Sequence, residues 1–170
     1  VAHVEQFRKD GKTPYVEHCR AVARFVQEKT VLNAECVAAA WLHDTVEDVK
    51  WITVEQLSEK FGPVVAKLVG ELTSPSQYNK KLGIKTQKHM KDYLDRLHLS
   101  SMSIAARQIK LCDMLHNLES SVDLPMEDAV YFINKVLRRL RYFTPDLSLN
   151  PSLYAEVLLT LDSVESQLYS

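Results

Sequence analysis

Histidine and carboxylate side chains are concentrated in one short stretch, which follows a run of small apolar residues. His43, Asp44, Glu47 and Asp48 fall within six positions. On a continuing helix, His43 and Glu47 would share one face and Asp44 and Asp48 the neighbouring face, because residues four apart stack. Burial of four such groups is costly unless a metal or a charged partner compensates them. The stretch therefore predicts the base of a metal-binding site. The alternative is a helix end capped by carboxylates, although the helix dipole disfavours negative charge there.

Two residues elsewhere in the chain are candidates to complete this site. His18 lies on the apolar stripe of a predicted helix, and Asp113 interrupts an apolar helix. Taken singly, a histidine of this kind is more often a hydrogen-bonded core residue. A lone Asp113 would more often pair with Lys110 or His116 on its own helix. Neither residue by itself therefore establishes a site.

Together with the pair at 43–44, these residues form a set of two imidazoles and two carboxylates: His18, His43, Asp44 and Asp113. That set suits a divalent first-row metal with open coordination positions, such as Mn²⁺, Fe²⁺ or Zn²⁺. Such a metal lowers the pKa of bound water and polarises a phosphoryl oxygen. Glu47 and Asp48 are then available to orient the nucleophile or to carry its proton.

The elements that must position these residues are almost all predicted helices. Thr13 is the expected N-cap of the helix that carries His18, and Asn33 is the expected N-cap of the next helix. Thr53 and Gln56 form a capping box, and Gly62 followed by Pro63 separates two helices. Ser74–Ser76 is expected to be a loop. Pro125 and Pro151 each occupy a predicted first helical turn, which gives two final helices.

A lysine-rich segment, Lys80 to Lys91, precedes and joins a helix whose expected inward residues are Met90, Tyr93, Leu94 and Leu97. Such a run is usually a solvated face, and the functional alternative is an electrostatic rim for an anionic substrate. Without strand alternation or an internal repeat, the chain is predicted to be all-α. We expect a single-domain helical bundle of about seven to nine helices over residues 1–170.

Composition limits the classes of function. The net charge is −1, so no general nucleic-acid-binding role is indicated. No apolar run approaches the roughly 20 residues that cross a membrane, and no secretory pattern is present. Three widely spaced cysteines without a C-x-x-C pair favour reduced thiols and a cytoplasmic location. The chain begins with Val1 rather than Met, so residues before it are expected to be missing.

The order His18, His43-Asp44 and Asp113 resembles the HD superfamily of metal-dependent phosphohydrolases. More narrowly, the chain is similar to the hydrolase domains of RelA/SpoT proteins and to small stand-alone alarmone hydrolases. The similarity runs over residues 2–118, and residues 119–170 are only generically compatible with it. The matching stretches are Ala2-His3, Gln6, Arg8–Gly11, Thr13–His18, Val22-Ala23, Leu42–Asp48, Phe61–Thr73 and Lys110–Asn117.

The resemblance implies an HD-type helical bundle that binds one Mn²⁺ through His18, His43, Asp44 and Asp113. It also implies that Glu47 and Asp48 act on the catalytic water. The implied reaction removes the 3′-pyrophosphate of ppGpp or pppGpp, giving GDP or GTP and pyrophosphate. The implied substrate-binding residues near the base, phosphates or nucleoside are Arg8, Lys9 and Asn117.

The chain departs from the family pattern at three positions that are usually basic: Ser74, Met114 and Glu119. Loss of cations weakens the binding of a highly anionic substrate, because charge-assisted contacts to phosphate are strong. One alternative is therefore an HD phosphohydrolase acting on another nucleotide, such as a nucleoside monophosphate or NADPH. Another is a non-catalytic nucleotide-sensing module. The sequence also leaves open whether the protein forms a homodimer, because the last two helices can pack within the chain or against a second copy.

Overall fold

The computed structural model describes residues 2–143 and 150–168. This part of the chain contains nine helices of seven residues or more and one single-turn helix, which confirms the all-α prediction. Its only extended pairing is an isolated bridge between Phe7 and Pro14. The helices are α1 (Tyr15–Lys29), α2 (Ala34–Leu42), α3 (Thr45–Asp48), α4 (Val54–Phe61), α5 (Pro63–Leu72), α6 (Pro75–Lys81), α7 (Lys88–Ser101), α8 (Ile104–Glu119), α9 (Met126–Leu140) and α10 (Pro151–Leu168).

Most of the predicted helix boundaries are confirmed by their capping contacts. The side chain of Asn33 accepts a hydrogen bond from the N–H of Cys36 at 3.1 Å, which caps α2. Thr53 and Gln56 form both bonds of the capping box at the start of α4. The prediction for Thr13 is wrong, because Pro14 is the N-cap of α1 and the Thr13 hydroxyl donates to Asp10 instead.

The helix α8 is the centre of the fold, with α1, α2, α5, α9 and α10 packed against it. Neighbours on several sides explain why α8 is apolar over most of its circumference. Its side chains Ile109, Leu111, Met114 and Leu115 have no exposed surface. This arrangement places Asp113 in the interior. The final helix α10 packs on α8 and α9 of the same chain, and the division into one domain over 1–170 stays a prediction.

Three local predictions are wrong. The helix leading to the metal-site stretch does not continue through it, because α2 ends at Leu42 and α3 begins at Thr45. The segment that follows Ser74 is the helix α6 rather than a loop. Finally, α7 forms, but three of its four predicted inward residues, Met90, Tyr93 and Leu97, are exposed. Leu94 is half-buried, and Leu99 is buried instead. None of the described helices is long and apolar enough to cross a membrane.

Candidate functional site

Four side chains from three separate segments meet beside α8. His18 comes from α1, His43 and Asp44 from the junction between α2 and α3, and Asp113 from α8. The Nε2 atoms of His18 and His43 are 3.2 Å apart. Oδ1 of Asp113 lies 3.3 Å from Nε2 of His18, and Oδ2 of Asp44 lies 2.9 Å from Nε2 of His43. All four residues are buried. The structure therefore brings together the four residues that the sequence nominated as metal ligands.

The hydrogen bond made by the other ring nitrogen of His43 explains why this cluster suits a cation. Its Nδ1 lies 2.8 Å from the carbonyl oxygen of Ala40. A carbonyl oxygen only accepts, so Nδ1 carries the hydrogen and Nε2 of the neutral ring presents a lone pair. That lone pair faces the Asp44 carboxylate and a second imidazole. Several electron-pair donors this close together require a proton or a metal ion between them.

In the absence of a metal, a proton fills this role. Burial lowers the pKa of His43, but the Asp44 carboxylate outweighs burial and raises the pKa to about 9. Burial likewise opposes ionisation of Asp44, while the His43 ring holds the pKa of that carboxyl below its usual range. Because a divalent ion replaces the proton and stabilises the same lone pairs, the donor set fits a divalent metal.

Three of the four candidate ligands are each held in place by a further side chain. The Tyr15 hydroxyl donates to Oδ2 of Asp44 at 2.6 Å, and Nδ2 of Asn117 donates to Oδ1 of Asp113 at 2.5 Å. Nδ1 of His18 lies 2.8 Å from Nδ1 of His116. Such contacts orient the ligands and restrict the tautomers of the rings. The sequence pattern included Tyr15 and His116 in its matching stretches but assigned neither of them a role.

The two additional carboxylates, Glu47 and Asp48, lie on the single-turn helix α3 beside the four ligands. Glu47 is half-buried and accepts a hydrogen bond from the N–H of Ser74. Burial, followed by the nearby charge of Asp44, raises the pKa of Glu47 to about 7. Asp48 is exposed, and loss of hydration and the Asp44 charge raise its pKa as well. A carboxylate with a pKa near neutrality is suited to accept and release a proton.

Arg8 and Lys9 reach the site from the N-terminal segment. Nη2 of Arg8 donates to Oδ1 of Asn117 at 2.8 Å and to Ser120 at 3.0 Å. Asn117 in turn links Arg8 to the four candidate ligands, here named the metal-ligand cluster: His18, His43, Asp44 and Asp113. Lys9 pairs with Asp128 on α9. They line a cavity of about 110 Å³, here named the Arg8 cavity, with Asp10, Thr13, Glu17, His116, Ser120, Leu124 and Phe132.

A second cavity, of about 120 Å³, is lined by two cations, Lys110 and Arg139, that face the other oxygen of Asp113. Nζ of Lys110 lies 2.8 Å from Oδ2 of Asp113, and Nη1 of Arg139 lies 3.7 Å from the same atom. The sequence analysis missed this cavity, because its basic residues are spread over three helices. We name it the Lys110 cavity; its basic lining residues are Lys91, Lys110, Lys135, Arg138 and Arg139.

The structure also shows where the three residues at usually basic positions lie: Ser74, Met114 and Glu119. Met114 is fully buried in the core and lines neither cavity. Glu119 is exposed, with Lys29 and Glu156 as charged neighbours. Ser74 lines the Lys110 cavity. Of these three residues, only Ser74 therefore affects the charge of the Lys110 cavity.

The lysine run contributes little to either cavity. Lys91 lines the Lys110 cavity. Lys81 instead donates to the carbonyl oxygens of Val46 and Ile52, at 2.7 and 2.9 Å. The three other lysines of the run are exposed: Lys80, Lys85 and Lys88.

Comparison with known proteins shows relatives of one kind. MESH1 of Xenopus tropicalis, a guanosine-3′,5′-bis(diphosphate) 3′-pyrophosphohydrolase, is 35% identical over 122 residues, covering 68% of this chain and 61% of that protein. A Haemophilus influenzae enzyme of the same name is 34% identical over 119 residues, covering 70% of this chain and 17% of its own length. A chloroplastic RSH1 protein of Arabidopsis thaliana is 35% identical over 130 residues, covering 73% of this chain. The chain spans less than two thirds of each relative, and only 14% of the plant protein.

Solved structures share the fold. A metazoan ortholog of SpoT that hydrolyses ppGpp superposes with a TM-score of 0.75 at 28% identity, covering 98% of this chain and 88% of that one. A Listeria monocytogenes protein superposes with a TM-score of 0.61 at 20% identity, covering 86% and 97% of the two chains. A family model described as HD domain matches residues 1–137. Because this match takes in both histidines and both aspartates of the cluster and most of the chain, the protein belongs to the HD domain family.

Proposed function

We propose that this chain is a metal-dependent phosphohydrolase that removes the 3′-pyrophosphate of ppGpp, giving GDP and pyrophosphate. The observation that carries the proposal is that the Nε2 atoms of His18 and His43 lie 3.2 Å apart, and that each lies within 3.9 Å of a carboxylate oxygen of Asp44 and of Asp113, with Glu47 on the adjoining helix α3. The names of the MESH1 and Haemophilus relatives support the choice of substrate, as does the ppGpp hydrolysis of the structural neighbour.

The proposed ligands of the metal are His18, His43, Asp44 and Asp113. We propose Mn²⁺ as the ion, because a mixed set of nitrogen and carboxylate donors suits it; Fe²⁺ and Zn²⁺ are the alternatives for the same donors. When bound, such an ion polarises a phosphoryl oxygen and makes a neighbouring water more acidic. Tyr15 and Asn117 keep the two carboxylates oriented toward the cluster through the hydrogen bonds described above.

In the proposed reaction, Glu47 and Asp48 orient the attacking water and accept its proton. The water oxygen forms a bond to the phosphorus next to ribose O3′, the bond between that phosphorus and O3′ breaks, and O3′ takes up a proton. The raised pKa of Glu47 fits this role, since proton transfer is most efficient when the pKa of the base lies near the working pH.

We propose that the Arg8 cavity receives the nucleoside end of the substrate. Arg8 lies over the faces of two aromatic rings, with its Cζ 5.8 Å from the centroid of Tyr15 and 5.9 Å from that of Phe132. A planar guanidinium among aromatic side chains offers the stacking surface that a base uses. Lys9 supplies a positive charge at the same cavity, and Asn117 joins it to the metal-ligand cluster.

The main alternative is an HD phosphohydrolase that acts on another nucleotide, such as a nucleoside monophosphate or NADPH. Ser74 favours this alternative, because it places a neutral side chain in the Lys110 cavity at a position that the resemblance to RelA/SpoT hydrolase domains implies to be basic. A nucleotide-sensing module without catalysis is the third candidate. The retention of Glu47 and Asp48 beside a full ligand set argues against it.

We also propose a cytoplasmic location. Cys19, Cys36 and Cys112 are free and buried, which is compatible with a reducing compartment.

The test is a product-resolved assay of the purified chain with Mn²⁺, offering ppGpp, NADPH and a panel of nucleoside mono- and triphosphates. Release of GDP and pyrophosphate from ppGpp, lost in Asp113→Ala, would support the proposal. Turnover of a different nucleotide alone would retain the metal chemistry and overturn the substrate. If metal binds but nothing is hydrolysed, the sensing module becomes the better description.

A further inference from the structure

The helix α9 passes both cavities. Near its N-terminal end, Asp128 pairs with Lys9, and Phe132 lines the Arg8 cavity. Near its C-terminal end, Lys135 and Arg139 line the Lys110 cavity. Asp128 and Arg139 are about 16 Å apart along the helix at 1.5 Å per residue. One extended ligand could therefore lie along α9, with the metal-ligand cluster between its two ends.

The Lys110 cavity carries an excess of positive charge. Five basic residues line it, against two carboxylates, Asp92 and Asp95. Both carboxylates are already engaged, since Asp92 lies 3.6 Å from Nη1 of Arg138 and Asp95 accepts a hydrogen bond from Ser74 at 3.0 Å. Lys110 is likewise paired with Asp113, so the cations left to meet an entering anion without an ion pair in the described part of the chain are Lys91 and Lys135.

Among the basic residues that line this cavity, Lys135 combines partial burial with the lack of a paired carboxylate. It is half-buried and forms no ion pair with any carboxylate in the described ranges 2–143 and 150–168. The neighbouring Arg139 guanidinium, followed by burial, lowers the pKa of Lys135 to about 8. Binding of an anion between these two cations would remove their repulsion and favour the charged form of Lys135.

The position of Asp113 connects this charge to the reacting centre. Its Oδ1 faces His18, whereas its Oδ2 faces Lys110 and Arg139. Lys110 is 5% exposed, so its charge acts with little screening by water. A phosphate in the Lys110 cavity would therefore be next to a phosphate held at the metal-ligand cluster. A diphosphate can fill both positions, with one phosphate at the metal-ligand cluster and one in the Lys110 cavity, whereas a monophosphate can fill only one of them.

From these contacts we infer that Lys135 and Arg139 of α9 are specificity-determining residues that bind the outer phosphate of the departing pyrophosphate. The inference rests on the proposed function for the identity of the substrate. Lys135 and Arg139 supply the positive charge that the neutral side chain of Ser74 does not supply in the same cavity. The site accordingly selects a diphosphate over a monophosphate at the position that is cleaved.

The first experiment compares two substrates: ppGpp and the same nucleotide with a single phosphate on O3′. In Lys135→Gln, kcat/KM for ppGpp should fall about 10- to 100-fold, since one charge-assisted contact to phosphate is lost. For the monophosphate, kcat/KM should change less than about threefold, because the outer phosphate is missing. Arg139→Gln should lower kcat/KM for ppGpp in the same selective way. Its metal content is measured in parallel, because Arg139 also faces Asp113. Equal losses on both substrates would overturn the inference.

The matched control is Lys67→Gln. Lys67 is an exposed lysine on α5 that pairs with Glu71 at 3.9 Å, so its substitution removes the same charge without touching either cavity. It should leave both substrates unaffected. The conservative variant Lys135→Arg should restore the preference for ppGpp, which shows that a loss in Lys135→Gln does not come from misfolding.

A second experiment separates this inference from the proposed function. Binding of inorganic pyrophosphate to the metal-free protein is measured by calorimetry, which requires no turnover and no metal. Pyrophosphate should bind the natural sequence and Lys67→Gln equally, and Lys135→Gln about tenfold or more weakly. If ppGpp is not hydrolysed but this pattern holds, the proposed function fails and the anion site stands. If pyrophosphate does not bind, or binds Lys135→Gln unchanged, the anion site fails.

Discussion

Nζ of Lys110 lies 2.8 Å from Oδ2 of Asp113, while the other oxygen of the same carboxylate faces the Nε2 atom of His18 at 3.3 Å. Asp113 thus belongs to the metal-ligand cluster and also pairs with a residue that lines the Lys110 cavity. Burial alone would favour the neutral acid, but Lys110 and the two imidazoles hold the pKa of Asp113 well below its usual range. The carboxylate is therefore ionised and available as a ligand at neutral pH.

Replacement of Lys110 by Met should destabilise the metal-free protein. Both members of the pair are buried, so Lys110→Met leaves a buried carboxylate without its nearest cation, and the free energy of unfolding should fall by about 3–5 kcal/mol. Urea denaturation in EDTA measures this change. The exposed pair is the control, since Lys67→Met should cost less than about 1 kcal/mol. Equal effects of the two substitutions would contradict the prediction.

Asn117→Ala should weaken metal binding without removing a ligand. Nδ2 of Asn117 donates to Oδ1 of Asp113, and loss of an orienting contact of this kind typically lowers metal affinity or activity about 10- to 100-fold. Titration with Mn²⁺, followed by calorimetry, measures the affinity. Asn134→Ala on the exposed side of α9 is the matched control. Unchanged affinity in Asn117→Ala would show that Asp113 does not depend on this bond.

Glu47→Gln and Asp48→Asn should retain the metal and lose turnover. Both are near-isosteric changes that remove the capacity to accept a proton, and general-base catalysis contributes about 10²- to 10⁴-fold to the rate. Metal content and kcat are measured on the same preparations. Loss of metal in either variant would reassign that residue as a ligand, and full activity would remove it from the mechanism.

Removal of the metal should lower thermal stability in a manner that depends on pH. A ligand that binds only the folded protein stabilises it by about 2.7 kcal/mol at a concentration 100 times its dissociation constant. Metal competes with protons for His18 and His43, so acidification should weaken binding and reduce this stabilisation. Thermal unfolding with Mn²⁺ and with EDTA, between pH 8 and pH 5.5, tests both effects. The difference should vanish in Asp113→Ala; a pH-independent difference would argue against imidazole ligands.

Asp10 should titrate well below an ordinary aspartate. The Thr13 hydroxyl and the backbone N–H groups of Lys12 and Thr13 donate to its carboxylate and lower its pKa from 3.8 to about 2. Because the folded-state pKa is the lower one, its contribution to stability is present above pH 3.8 and is lost as the pH falls through 2. NMR titration of the carboxyl carbon measures this pKa. Thr13→Val should move it back toward 3.8, and no movement would contradict the assigned cause.

Local sequence determined much of this protein. The helix boundaries at Asn33 and Thr53 were predictable, because a cap is a contact between residues three positions apart. The four proposed ligands were also predictable, since titratable side chains on apolar stripes must share a compensating partner. Even so, the helix break between Leu42 and Thr45 was missed, because apolar periodicity does not report a turn of two residues.

Tertiary structure decided which faces and charges meet. The stripe of α7 is apolar but largely uncovered, because a pattern along one helix does not specify whether another helix packs on it. The sequence analysis assigned no role to Lys135 or Arg139. Only the placement of α9 beside α8 brings Arg139 to within 3.7 Å of Asp113. Electrostatic interactions depend on distance in space, so a charge contributed by a separate helix acquires its role only when the chain has folded.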